Sequence, residues 1–244
     1  MLRCALFTVL PSKAKHPRVS PILRAARAGE RGGAAPACYD FAMPRGALFI
    51  ISAPSGGGKT SLAQALIDSM PQLVRSVSHT TRAPRPGEEH GRDYYFVSSE
   101  EFARMVAAGK FLEHATVFGN SYGTSRRAVE ALRDQGTDVL LTIDWQGARR
   151  VKQFIPEARG IFLLPPSRAA LESRLRARGQ DTEEVIARRL HEAVAEMRRC
   201  REFDYAVVND DFEAALADLK AIVRGEPKRV RPLPPDLLER LLTE

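Results

Sequence analysis

Phe49-Ile50-Ile51-Ser52-Ala53-Pro54-Ser55-Gly56-Gly57-Gly58-Lys59-Thr60-Ser61 is the stretch from which the fold can be read. The apolar run from Leu48 to Ile51 has the length and branching of a buried strand. Small residues and glycines follow at once, then a lysine and hydroxyls, which is the order strand, phosphate loop, helix. Three consecutive glycines let successive backbone N–H groups turn inward around an anion, where a Cβ would obstruct them. A helix starting near Lys59 adds its positive N-terminal end to the same point. The pattern G-x-x-x-x-G-K-[ST] is met from Gly58 onward, with Ala53 in place of its first glycine. It makes Ala53 to Ser61 the expected cradle, lets Lys59 reach the β- and γ-phosphates of a nucleotide, and gives the Thr60 hydroxyl to Mg²⁺. Leu62, Ala65, Leu66 and Met70 recur at helical spacing, and Pro71 stops the helix.

The 244 residues suffice for one large or two small domains with a real core, in an ordinary soluble composition. The net charge of +7 raises the question of a nucleic-acid partner, so its distribution matters. Residues 1–42 hold Arg3, Lys13, Lys15, Arg18, Arg24, Arg27 and Arg31 against Glu30 and Asp40, a net of +5, which leaves +2 for all the rest. A nearly neutral domain that binds a polyanionic small molecule is therefore the expectation, with no nucleic acid. Cys4, Cys38 and Cys200 have neither metal-like nor disulfide-framework spacing. The apolar run Ala5 to Leu10 is too short for a signal-peptide core or a membrane span. A cytoplasmic protein without a membrane partner is expected.

Residues 1–43 are rich in Ala, Arg, Pro and Gly without useful periodicity, and are read as a disordered extension, either a targeting segment or the product of a start set too far upstream. Met43 is the working start, a compact domain spans 44–225, and 226–244 form a proline- and charge-rich tail with one short amphipathic helix near Leu237 to Leu242. Within the domain, Leu73 to Ser78 reads as a strand. A loop stiffened by Pro84, Pro86 and Gly87 then presents Arg82 and Arg85, whose guanidiniums can converge on one phosphate. Gly91 to Val97 reads as a short strand, and Ser98-Ser99-Glu100-Glu101 as a helix start. Glu113 stands in an apolar extended segment, as an edge residue or a ligand reader. Asn120 to Thr124 reads as a turn into a helix from Ser125 to Gln135. Val139 to Asp144 is an apolar run that delivers a carboxylate at the end of a buried parallel strand, where open α/β sheets bind ligands. Trp145 is read as packing. Ile161 to Leu164 and Tyr205 to Asp211 read as further buried strands. Between them, arginines cluster where a helix ends at Gly179 and a long helix follows, suggesting a mobile lid over phosphates.

From about Arg45 to Val223 the chain resembles guanylate kinases. The resemblance is carried by Ser55 to Thr60, by Ser76-Val77-Ser78-His79-Thr80-Thr81-Arg82-Ala83-Pro84-Arg85, by Gly91-Arg92-Asp93-Tyr94, by Ile143-Asp144-Trp145-Gln146-Gly147 and by Val208-Asn209-Asp210. It implies an α/β fold, a P-loop three-layer core with a parallel sheet, an inserted GMP-binding domain over about 77–130 and a helical lid over about 172–192. It also implies transfer of phosphate from ATP to GMP or dGMP with Mg²⁺. Carried across by motif, Arg82, Arg85, Tyr94 and Tyr122 clamp the GMP phosphate, while Ser78, Glu113, Thr124 and Asp144 read guanine. Lys59, Arg82, Arg174, Arg178 and Arg189 neutralise the transferring phosphoryl group, and Asn209 lies near the adenine of ATP. Thr142 departs from the family, which usually has a second aspartate there, and residues 1–43 match nothing in it. Two rivals stand beside this reading. A kinase for a sugar bisphosphate would lack Tyr94, Glu113, Thr124 and Asp144 together, and a non-catalytic GMP-pocket module would not need Gly58-Lys59-Thr60.

Overall fold

The computed structural model describes residues 44–117, 119–177, 179 and 181–243. The expected N-terminal extension and Arg178 lie outside the described residues. The chain runs through β1 (Leu48–Ser52), α1 (Lys59–Ser69) and β2 (Leu73–Arg75). It then crosses to a second sheet with β3 (His79–Thr80), β4 (Tyr95–Phe96), α2 (Ser99–Ala107), β5 (Phe111–Val117) and β6 (Asn120–Ser125). Helix α3 (Arg126–Asp134) brings it back to β7 (Asp138–Thr142), α4 (Trp145–Phe154), β8 (Arg159–Leu164), α5 (Arg168–Ala177), α6 (Glu183–Met197), β9 (Tyr205–Val208), α7 (Phe212–Val223) and α8 (Leu237–Thr243).

The main sheet has the order β2-β7-β1-β8-β9 and is parallel throughout. Parallel strands need cover on both faces, and the alternation along β1 supplies it. Phe49 and Ile51 point into one core with Leu62 and Leu66 of α1 and Leu219 and Ile222 of α7. Leu48 and Ile50 point into the other with Val129 of α3, Val151 of α4 and Ile155 just after it. The result is three layers with β1 central, so the loop leaving β1 opens at the carboxyl end of the sheet, where such folds bind ligands. The smaller sheet has the order β4-β3-β6-β5, with β3 and β4 parallel and the other pairs antiparallel.

Four expected segments come out differently. The strand expected over Leu73 to Ser78 ends at Arg75. Ser76 still donates its N–H to Leu140 (3.2 Å), but Ser78 already accepts from Tyr95 (2.9 Å), so the segment is shared between the two sheets. The strand expected over Gly91 to Val97 shrinks to Tyr95–Phe96. The Asp93 carboxylate accepts the Glu89 N–H (2.9 Å), and Gly91 donates to the Tyr94 carbonyl (2.8 Å), which ties the preceding residues into a turn. Asn120 to Thr124 is not a turn but most of β6, paired with β5 from Val117↔Asn120 to Glu113↔Thr124. Cross-strand pairing overrides the turn-like composition of these residues. The helix expected to begin at Ser125 starts at Arg126, with Ser125 as its cap.

The C-terminal segment is part of the core. Leu237 and Leu241 of α8 are buried against Phe162 and Leu164 of β8 and Met197 of α6. Arg168 of α5 donates to the Leu241 carbonyl (2.8 Å), and Arg231 bonds Asp218 (2.8 Å). Leu241 is fully buried. Leu241→Ala is expected to lower the free energy of unfolding by about 2–4 kcal/mol, read from the urea midpoint. A loss below about 0.5 kcal/mol would show that α8 does not contribute to the core.

Candidate active site

The loop between β1 and α1 is shaped by Gly56 at φ +84° and Gly58 at φ +89°, both in the left-handed region. Gly57 donates its N–H to Pro54 (2.9 Å) and closes the turn. Asn209, buried just after β9, donates its side-chain amide to the Gly57 carbonyl (3.0 Å). A Cβ on Gly58 would stand 2.3 Å from that nitrogen, so position 58 needs glycine for its φ and for this approach. Arg174 in turn donates to the Asn209 carbonyl (2.8 Å). Asn209, expected only to neighbour the donor base, also pegs the phosphate loop. Arg174 and Asn209 line a cavity of about 410 Å³ with Gly56, Gly58 and Ser61.

A second cavity, of about 440 Å³, is lined by Ala53 to Thr60, Asp144, Arg189, Glu192 and Glu196. A third, of about 330 Å³, is lined by Ser78, Tyr94, Glu113, Tyr122 and Asp144, with Lys59, Arg75, Asp93 and Thr142. Lys59 and Asp144 belong to both, so the two compartments meet at one ammonium and one carboxylate. Lys59 Nζ donates to the Ile143 carbonyl (3.4 Å). Burial pushes its pKa below the usual lysine value, and the nearby charges of Asp144, Glu196 and Glu113 oppose that shift.

In the third cavity Glu113 is buried, and Thr124 Oγ1, directly across the β5–β6 pair, donates to its Oε1 (2.5 Å). Burial raises the Glu113 pKa, and the Thr124 bond is the main opposing cause. Asp144 caps α4 by accepting the Gly147 N–H on Oδ1 (2.7 Å). Tyr94 and Tyr122 meet edge to face at 6.1 Å. The Arg82 guanidinium lies 5.5 Å from the Tyr94 ring centre, and its Nη2 donates to both oxygens of Glu88 (2.8 and 2.9 Å). Glu88 also accepts the Arg85 N–H (2.8 Å), while the Arg85 side chain is exposed.

Ser78, Tyr94, Glu113, Tyr122 and Asp144 thus line one cavity, Thr124 acts on it through Glu113, and Arg82 flanks it behind the tyrosines. Arg85 does not join the lining. Arg189 faces the phosphate loop and donates to Asp181 (2.7 Å). Trp145 lies away from both compartments, with the Arg199 guanidinium 4.7 Å from its ring centre. Sequence reasoning missed Glu192 and Glu196, which stand three and seven residues beyond Arg189 on α6 and therefore share its face. It also gave no role to Arg75, which no local pattern marks, or to Asp93, although Asp93 lies within the Gly91-Arg92-Asp93-Tyr94 motif. The Glu196 carboxyl is pushed up by burial and held down chiefly by Lys59.

The guanylate kinase family model matches residues 45–226. The guanylate kinase of Escherichia coli (strain K12) is 57% identical over 190 residues, which cover 77% of this chain and 92% of that protein. The guanylate kinase of Salmonella typhimurium (strain LT2) is similar to the same extent, with 57% identity over 77% of this chain and 92% of its own. Among solved structures, the guanylate kinase from Anaplasma phagocytophilum superimposes with a TM-score of 0.61 at 38% identity, covering 75% of this chain and 87% of that chain. With matches of this extent on a parallel-sheet core that carries a phosphate loop, the chain belongs to the guanylate kinase family.

Proposed function

We propose that this chain transfers the γ-phosphoryl group of ATP to GMP or dGMP, giving ADP and GDP or dGDP. The observation that carries this reading is the meeting of two compartments at Lys59 and Asp144, one walled by the phosphate loop and the other containing a buried, hydrogen-bonded carboxylate. In the reaction an oxygen of the GMP phosphate attacks the γ-phosphorus. The bond to the β,γ-bridging oxygen breaks, and ADP leaves with the electron pair. Catalysis of this kind is positioning and charge neutralisation. Lys59 at the junction neutralises oxygens of both nucleotides, with Arg174 and Arg189 on the donor side. Residues 53–61 bind the ATP phosphates, and Asn209 holds that loop next to the adenine. Among the described residues no group of three or more His, Cys, Asp or Glu is arranged to hold a metal ion. This suits an ion brought by the nucleotide, since Mg²⁺ is commonly bound by few protein oxygens plus phosphates. The Thr60 hydroxyl would hold it, and bound Mg²⁺ would neutralise the β- and γ-phosphate oxygens.

Guanine presents N1–H and the 2-amino group as adjacent donors, which match the Glu113 carboxylate, and O6 as an acceptor for the Ser78 hydroxyl. Thr124 and Asp144 complete the base-reading set, and Arg82, Arg85, Tyr94 and Tyr122 the phosphate clamp. Adenine would set an acceptor, N1, against Glu113, a mismatch of about 1–3 kcal/mol. The smaller sheet is then the GMP-binding insert, about 77–130, and α5 with α6 the lid, about 172–192. A cytoplasmic setting suits the free, buried Cys200. Among the described residues no helix is long and apolar enough to cross a membrane.

The reading is tested by ADP release from the full chain with ATP and Mg²⁺ against GMP, dGMP, AMP, CMP, UMP and ribose 1,5-bisphosphate. Turnover confined to GMP and dGMP is expected, and turnover with the sugar bisphosphate or with no acceptor would overturn it. Lys59→Ala is expected to lower kcat by at least about 100-fold. Arg82→Ala is expected to raise KM for GMP by about 10- to 100-fold through the lost charged contact, with KM for ATP as the internal control. Unchanged GMP kinetics in that variant would remove Arg82 from the clamp. The ionised Glu113 accepts both guanine donors and the protonated form cannot, so KM for GMP should rise as pH falls. Because burial raises this pKa, the rise should begin at a higher pH than an exposed glutamate would give. Thr124→Ala should move it higher still, and a pH-independent KM for GMP would count against Glu113 as the reader.

A further inference from the structure

We infer that Gly147 is a specificity-determining positioning residue, the floor on which the base-reading oxygen of Glu113 rests. This inference depends on the assignment of Glu113 to guanine made above. Glu113 has two carboxylate oxygens, and Oε1 accepts the Thr124 hydroxyl at 2.5 Å. Each oxygen can accept more than one hydrogen bond, so both remain able to meet the paired guanine donors, and Oε2 is the one that Gly147 adjoins. A Cβ added to Gly147 would stand 3.1 Å from Oε2, closer than carbon and oxygen ordinarily approach. The same Cβ would stand 3.3 Å from both Cβ and Cδ1 of Ile143. A methyl group at this position would meet a carboxylate and a branched side chain at once, and the neighbours would have to give by a few tenths of an ångström.

Gly147 also meets the second acidic reader. Its N–H donates to Asp144 Oδ1 at 2.7 Å, which fixes that carboxylate as the cap of α4 and leaves Oδ2 for the cavity. One residue therefore sets both acids, Asp144 by its amide and Glu113 by its missing side chain. Helix energetics do not account for a glycine here. Position 147 lies in the first turn of α4 with no positive φ, and alanine is the better helix former. The glycine weakens its own helix in favour of the approach of a carboxylate.

The experiment compares Gly147→Ala with Glu113→Gln and the unaltered chain, measuring kcat and KM for GMP, for inosine monophosphate, which lacks the 2-amino group, and for ATP, together with Tm. Displacement of Oε2 disturbs the paired contact with N1–H and the 2-amino group, of which inosine monophosphate can make only the N1–H half. Gly147→Ala should raise KM for GMP by about tenfold and lower the preference for GMP over inosine monophosphate. Its kcat and KM for ATP should stay within about twofold, with any fall in Tm small because the helix gain of alanine offsets the tight contacts. An unchanged preference in Gly147→Ala alongside a lost preference in Glu113→Gln would overturn the inference. So would equal weakening of both acceptors with a lowered Tm, which is the signature of a merely structural position. An unchanged preference in Glu113→Gln would instead overturn the guanine assignment on which the inference rests.

Discussion

An ammonium group drawn out of water keeps its charge only where negative groups stand close to it, and the placement of Lys59 imposes that condition on the elements around it. Lys59 opens α1, directly after the glycines that turn the loop, so its stem cannot move without moving the loop. The carbonyl of Ile143 and the carboxylate of Asp144 come from the end of β7, which is next to β1 in the sheet. Glu196 comes from α6 and Glu113 from the smaller sheet. Three segments far apart in sequence thus converge on the charge that α1 carries. On the proposed reading, a donor phosphate and an acceptor phosphate would meet at this nitrogen.

The smaller sheet reaches this junction through an irregularity. The pairing of β5 with β6 shifts between Phe111 and Glu113, leaving Leu112 as an extra residue in the strand. Such a bulge re-aims the side chains on either side of it. Phe111 stacks on Phe102 of α2, with ring centres 4.8 Å apart, and so belongs to the small sheet. Leu112 belongs to the core beneath the main sheet. Glu113 then faces the cavity. Three successive buried residues serve a helix, the main core and the ligand cavity in turn, which strict alternation would not allow.

The readability of the site follows from how local each part is. The phosphate loop could be read because its strand, its glycines and its helix start lie within a dozen residues, and backbone conformation there is set by the residues themselves. Glu113 could be chosen as a base reader only through resemblance, because its own stretch leaves an exposed edge residue open as well. Its burial depends on β6, whose residues Asn120 to Thr124 look like a turn until their pairing with β5 is known. Glu192 and Glu196 were within reach, since the helical spacing from Arg189 puts them on its face. Asn209 was assigned to the base, and its hold on Gly57 could not be foreseen because it joins residues 152 apart. The C-terminal segment was read by composition as a tail, yet two leucines on α8 place it in the core.

Arg82, beside the cavity, and Lys59, in its lining with Arg75, both have carboxylates close by, which bears on how the proposed clamp would receive a phosphate. Arg82 holds Glu88 through two hydrogen bonds, and Lys59 sits among Asp144, Glu196 and Glu113. A cation buried alone would cost several kcal/mol, and a site that kept bare cations ready would lose that from its folding free energy. Partnered cations avoid the cost. The partners also define what can replace them, because a planar guanidinium that binds a carboxylate through two oxygens binds a phosphate in the same way. An incoming phosphate carries more charge than the carboxylate, and Glu88, half-buried next to the exposed residues Ala83 to Gly87, could be solvated once released. On the proposed reading, binding at Arg82 would exchange one anion for another, with little net burial of charge. Selectivity would rest on the Glu113 carboxylate, where a base with two adjacent donors leaves no polar group unpaired.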